Sequence, residues 1–173
     1  MRFNDLVKLV EQVGESFTYN EVKALIQSHE GIRPMAYLDS RKILTVGIGF
    51  NMERPDAREI FKQLNIDYDK VRNKQIPLTN EQIVLLFSNN LKTAINDAKK
   101  FIPSFDRLPK NVKLALVDLS FNLGYPNLSK FVKTKQYIEQ GNYKEASREI
   151  LRSKWASQVG RRSQVISGLL QSV

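Results

Sequence analysis

Residues 30–51 read EGIRPMAYLDSRKILTVGIGFN, and here the residue choice departs from what folding alone would select. Glu30 closes a run in which Val22, Leu25 and Ile26 recur at helical spacing, and Gly31 stands where a helix takes its C-terminal cap. Met35–Asp39 then reads as a short strand, Ser40–Lys42 as a turn and Ile43–Val46 as a β-branched second strand. Gly47-Ile48-Gly49 ends the hairpin, and glycine there marks a bulge or the close approach of another backbone or a ligand. The hairpin is therefore built to lie against something. The Glu30 carboxyl, at a helix end, can face the Asp39 carboxylate and the Thr45 hydroxyl carried on the strands.

Outside this stretch the apolar residues keep helical spacing. Phe3, Leu6, Val7, Leu9, Val10 and Val13 form an amphipathic pattern that covers the core, and Thr18-Tyr-Asn-Glu21 has capping-box form for the helix that ends at Glu30. Past the hairpin, Arg54-Pro55-Asp56 opens a short helix reaching Leu64, and residues 65–77 are polar and irregular. Thr79 and Gln82 form a second capping box for a long helix through Lys100, which Pro103 ends. A helix of about 20 residues spans about 30 Å, enough to bridge two lobes. Pro109 starts the most apolar helix, broken at Gly124-Tyr-Pro126, and helical patterns follow over 128–139, 143–154 and 160–170. The expected fold is α+β and mainly helical, a single domain over 1–173. It has an extra N-terminal helix in 1–17, a small lobe with the hairpin over 18–78, a linking helix over 79–101 and an all-helical lobe over 102–173.

A helix macrodipole is negative at its C-terminus, so an ionised Glu30 is mildly disfavoured, which suits a proton donor. Two carboxyls flanking one bond are the minimum apparatus for glycoside hydrolysis: one protonates the leaving oxygen, the other assists water or the cationic centre. Glu30, Asp39 nine positions on, Thr45 six further and then Gly47-Ile48-Gly49 resemble the catalytic Glu, Asp and Thr of the phage-type, T4-lysozyme-like glycoside hydrolases. Phe121-Asn122-Leu123-Gly124, and Ser153-Lys154-Trp155 followed by Gln158 and an arginine pair, are similar to the C-terminal part of that family. The resemblance covers about Thr18 to the C-terminus.

The resemblance implies a lysozyme-like two-lobed fold, with Glu30 as general acid, Asp39 and Thr45 positioning the attacking water, inversion at the anomeric carbon, and neither cofactor nor metal. It implies an endolysin-type muramidase that cleaves the β-1,4 bond between N-acetylmuramic acid and N-acetylglucosamine in peptidoglycan. It brings Arg161 or Arg162 near Glu30, and Gly47, Gly49, Asn122 and Gln158 into substrate-binding or supporting positions. One departure is that the family often has His after Gly-x-Gly, where Phe50 stands here; altered packing or pH dependence of stability is expected, not lost activity. Taken singly, these residues have plainer readings. Glu30 is a solvated helix-end carboxylate, Asp39 a turn initiator, Thr45 a strand threonine and Asn122 a helix-end hydrogen-bonder. Phe121 and Trp155 read as core packing and His29 as a helix-surface residue.

The chain has no cysteine, and His29 is its one histidine, so disulfides are excluded and the usual zinc sites are hard to build. Lys and Arg number 27 against 18 Asp and Glu, and the resulting charge of +9 attracts anionic partners such as a bacterial wall. The basic residues are dispersed, not clustered with stacking aromatics, which argues against a nucleic-acid partner. Asp5 and Glu11 interrupt what a secretory signal needs as its apolar core, and no run approaches the roughly 20 apolar residues of a membrane helix. The expectation is a soluble monomer without stable membrane insertion. It waits in the host cytoplasm for a pore-forming partner, or is carried in a virion. The alternatives are a glycan hydrolase acting on chitin or as a toxin domain, and a catalytically silent wall-binding module. A silent module would lose the carboxyls first, and both are present.

Overall fold

The computed structural model describes residues 19–173; the helix expected within 1–17 and the capping residue Thr18 lie outside them. Helix α1 (Tyr19–Glu30) ends as expected at Gly31, which takes a φ of +70° while its N–H donates to the Gln27 carbonyl at 2.8 Å. Strands β1 (Arg33–Leu38), β2 (Leu44–Gly47) and β3 (Phe50–Asn51) form an antiparallel sheet in that order. Tyr37 pairs with Thr45, and Thr45 with Asn51. The third strand was not expected. Two residues carry no readable alternation, and it exists because Gly47 and Gly49, at φ +69° and +65°, fold the chain back at once. Phe50 is 1% exposed with its ring 5.5 Å from Phe61, so the position where the family often has His serves packing.

Helices α2 (Ala57–Gln63) and α3 (Tyr68–Arg72) follow. The second corrects the irregular reading of 65–77: Asp67 accepts from the Lys70 N–H as N-cap, and fully buried Val71 anchors the turn to the core. Five residues are too few to print a helical period. Helix α4 (Asn80–Phe101) is the long helix, about 33 Å by its rise. Its Thr79 hydroxyl accepts from Gln82 N–H while the Gln82 side chain accepts from Thr79 N–H, the reciprocal box that was expected.

Helix α5 (Lys110–Leu123) is buried on nearly every side and stops at Gly124, whose φ is +72°. After it come α6 (Tyr125–Leu128), α7 (Val132–Glu139), α8 (Tyr143–Arg152), α9 (Lys154–Val159) and α10 (Arg161–Gln171). Both helices expected over 128–139 and 143–154 are shorter than that. The chain leaves helical geometry before Val132, and at Ser153 it is extended (φ −71°, ψ 153°) while the Ser153 hydroxyl caps α9. A break of a residue or two leaves the apolar spacing almost undisturbed, which is why the pattern hid it. One apolar cluster runs from Ile26 on α1 and Val46 on β2 through Leu91 on α4 and Val112 on α5 to Ile166 on α10. This is the mainly helical α+β arrangement that the resemblance implies.

Candidate active site

Glu30 is the last residue of α1, where the helix field disfavours an anion, and the fold sets a cation against it. Of the two arginines it is Arg162, whose Nη1 donates to Glu30 Oε1. Arg161 is exposed and lines the cavity beside Glu30 without bonding to it. Asn122 Nδ2 also donates to Glu30 Oε1, at 3.4 Å. Which way this amide points is decided by Trp155: its indole N–H can only donate, and does so to Asn122 Oδ1 at 2.7 Å. Asn122 thus sits as a hydrogen-bonding support between a core tryptophan and Glu30. Trp155 and Phe121 are buried, as their packing role requires.

Arg162 is itself buried, and its Nη2 donates to Asp118 at both Oδ1 (2.5 Å) and the main-chain carbonyl (3.3 Å). Burial works against the guanidinium cation, but the carboxylates of Asp118 and Glu30 outweigh it and hold its pKa above the ordinary arginine value. His29 corrects another expectation. It is not a surface residue: its side chain is 9% exposed, and Nδ1 lies 2.8 Å from Oδ2 of fully buried Asp118. Neither residue was singled out for this role from the sequence, although one signal was available. An Asp in the middle of the apolar run Val112–Phe121 must be partnered if that helix is core.

The hairpin brings its residues to the same place. At Gly49 a Cβ would fall 2.5 Å from Glu30 Cδ, so the glycine is the close approach that its position in the strand suggested. Asp39 opens the turn. Its Oδ1 accepts from the N–H groups of Arg41 (2.8 Å) and Ile43 (2.9 Å), and Lys42 at φ +61° completes the reversal. Asp39 is thus a turn former and a cleft residue together, and Oδ2 accepts no hydrogen bond from the described residues. Thr45 is 2% exposed and spends its hydroxyl hydrogen on the Ile43 carbonyl at 2.9 Å, which leaves its lone pairs to accept. Tyr37, across from Thr45, donates to the Glu30 carbonyl at 3.4 Å; burial, and next the Glu30 charge, raise its phenol pKa.

Two cavities meet at these groups. One, about 590 Å³, is lined by His29, Arg33, Tyr37, Arg161 and Arg162. The other, about 400 Å³, is lined by Thr45, Gly49, Arg54, Asp97, Phe121 and Tyr125. Glu30, Asp39 and Asn122 line both. Two expected site residues lie elsewhere. Gln158 faces an adjoining groove of about 620 Å³ with Lys130, Phe131, Arg152 and Trp155. Gly47 lines none of these spaces, its α-carbon facing Leu78 and Ile83 in the core. Among the described residues no three of His, Cys, Asp and Glu gather as metal ligands, and no helix is long and apolar enough to cross a membrane.

Across 88% of its length the chain is 27% identical to "Probable T4-type lysozyme 2" of Dictyostelium discoideum and 24% identical to "Probable T4-type lysozyme 1" of the same organism, covering 95% of each. It is 26% identical to "Pre-baseplate central spike protein Gp5" of Enterobacteria phage T4, where 86% of this chain matches 28% of that protein. The phage lysozyme family model matches residues 27–172, from the last turn of α1 to the end of α10, and the chain belongs to that family.

Proposed function

We propose that this lysozyme-like glycan hydrolase is a muramidase, cleaving the β-1,4 bond between N-acetylmuramic acid and N-acetylglucosamine in peptidoglycan with inversion. The observation that carries the reading is the placement of Glu30. Its side chain is 10% exposed, bonded by Arg162 and Asn122, and Glu30 lines the same two cavities that Asp39 lines. Glu30, when protonated, gives its proton to the glycosidic oxygen as the bond breaks. Asp39, tied at one oxygen by its turn, uses the other to draw a proton from water and to face the positive charge developing at the anomeric carbon. Thr45 accepts a hydrogen bond from that water and fixes its direction. Inversion requires room for the water, a carboxyl separation of about 6.5 to 9.5 Å.

The charge of +9 concentrates such an enzyme at an anionic wall. We read it as a soluble monomer that reaches the wall through a pore-forming partner. The match to part of a spike protein favours a second reading, deployment from a virion. The test is release of reducing sugar from purified peptidoglycan. Glu30→Gln, folded by circular dichroism, should lose at least about a hundredfold in rate, the lower range for a general acid. Normal turnover by that variant would overturn the assignment. Silence from wild type and variant, with wall binding intact, would point to a binding module or a different glycan.

A further inference from the structure

Arg162 does not meet Glu30 alone. Its guanidinium bridges two carboxyls, Glu30 through Nη1 and Asp118 through Nη2, and Asp118 Oδ2 is faced in turn by His29 Nδ1. No side chain of the four is more than 10% exposed. His29 Nδ1 and Asp118 Oδ2 have no other polar partner among the described residues, so their 2.8 Å contact is attractive only when Nδ1 carries a hydrogen.

The charges of this quartet can be summed. Arg162 is always a cation, and Asp118, held between it and His29, is the anion that matches it. What remains is set by Glu30 and His29. With neither protonated the quartet carries one negative charge, with both protonated one positive charge, and with a single proton on either it is neutral. An unbalanced charge buried this deeply is strongly disfavoured.

We propose that Asp118 and His29 are positioning residues of the Glu30 site, and that the quartet holds one proton for which Glu30 and His29 compete through Asp118 and Arg162. This rests on the reading of Glu30 as the proton donor. With the proton on His29, Glu30 is the anion bonded to Arg162; with the proton on Glu30, His29 is neutral and the donor is ready. A proton on Glu30 is favoured when no cation but Arg162 stands close by, and His29 meets that condition whenever it is neutral. The coupling is reciprocal: a proton on either group disfavours a proton on the other to the same extent. Arg33, Tyr37 and Asp39 from the hairpin side and Arg161 from α10 line the cavity against this quartet, and they stay in place when residues 29 and 118 are changed.

Because His29 is the chain's one histidine, its imidazole signals in an NMR titration stand alone. The comparison is wild type with Glu30→Gln, whose neutral amide stands for protonated Glu30. The His29 midpoint should fall in the variant, because the anion that favours the imidazolium is gone. An unchanged or raised midpoint overturns the proposal. The pH–rate profile gives an independent reading. His29→Asn keeps an amide donor near the Nδ1 position but cannot become a cation, so its activity should persist to higher pH. Adding Asp118→Asn leaves Arg162 unbalanced and should bring that limit back down. A purely structural role would lower the rate at every pH and leave the limit where it was, which also overturns the proposal. If the double variant does not fold, the titration decides by itself. Full hydrolysis by Glu30→Gln would sink the donor reading, while the NMR midpoints would still decide the coupling.

Discussion

Gly47 and Gly49 allow backbone strain to be separated from damage to the site. Both have left-handed φ, +69° and +65°, so alanine at either costs about 1–2 kcal/mol for the backbone alone. For a chain of this size that is a fall in Tm of about 2–8 °C. Their surroundings differ. An alanine Cβ at 47 would meet Leu78 and Ile83 at 3.5 and 3.8 Å, ordinary contact, whereas at 49 it would stand 2.5 Å from Glu30 Cδ. Carbon atoms rest about 3.5–4.0 Å apart, so the Glu30 carboxyl must retreat by about 1 Å. A displacement of that size at a reacting group costs about a hundredfold in rate. Thermal unfolding and peptidoglycan hydrolysis, measured on both variants, should therefore show similar losses of Tm, with activity kept in Gly47→Ala and largely lost in Gly49→Ala. Equal activity in the two would refute the claim that Gly49 sets the position of Glu30.

Two further outcomes follow from the buried charges. Arg162→Ala leaves Asp118, fully buried, without its cation and should cost about 3–5 kcal/mol by urea unfolding; a cost near zero would mean the pair contributes nothing. Burial raises the pKa of Asp97 above its ordinary value of 3.8, with Lys100 and Arg54 opposing. The folded state thus favours the protonated acid, and that stability is complete below the unfolded value and lost as pH rises through the folded one. Asp97→Asn should accordingly raise Tm at pH 7 and give no gain near pH 3; a constant gain at both would show that charge is not the cause.

How much was legible in the residues depended on how local each signal was. Glu30, Asp39, Thr45 and Gly49 lie within one short segment, so their spacing alone constrains where they can meet, and the fold brings all four to one cleft. The choice between Arg161 and Arg162 was not legible. Neighbours on a helix point about 100° apart, and which one turns inward depends on how α10 packs against α5. The partnership of His29 with Asp118 was hidden for a similar reason: it joins two helices far apart in the chain, and each residue read separately has an ordinary explanation. Gln158 follows Ser153-Lys154-Trp155 in sequence, and the fold keeps it with them, all four lining the groove beside the cleft. Short elements such as β3 and α3 depend on a glycine turn and a single cap, which no periodic pattern records.

In the proposed reaction Glu30 and Asp39 act on opposite sides of one glycosidic bond, with the attacking water on the Asp39 side. The most direct measurement is the anomeric configuration of the reducing end at the moment it is released, followed by proton NMR during digestion of peptidoglycan by the wild-type chain. Inversion of a β-linked glycan yields the α-anomer first, with the β-anomer appearing only as the sugar equilibrates. A first product in the β configuration would contradict it, because retention requires two displacements, with a carboxylate or the sugar's own N-acetyl group attacking before water does.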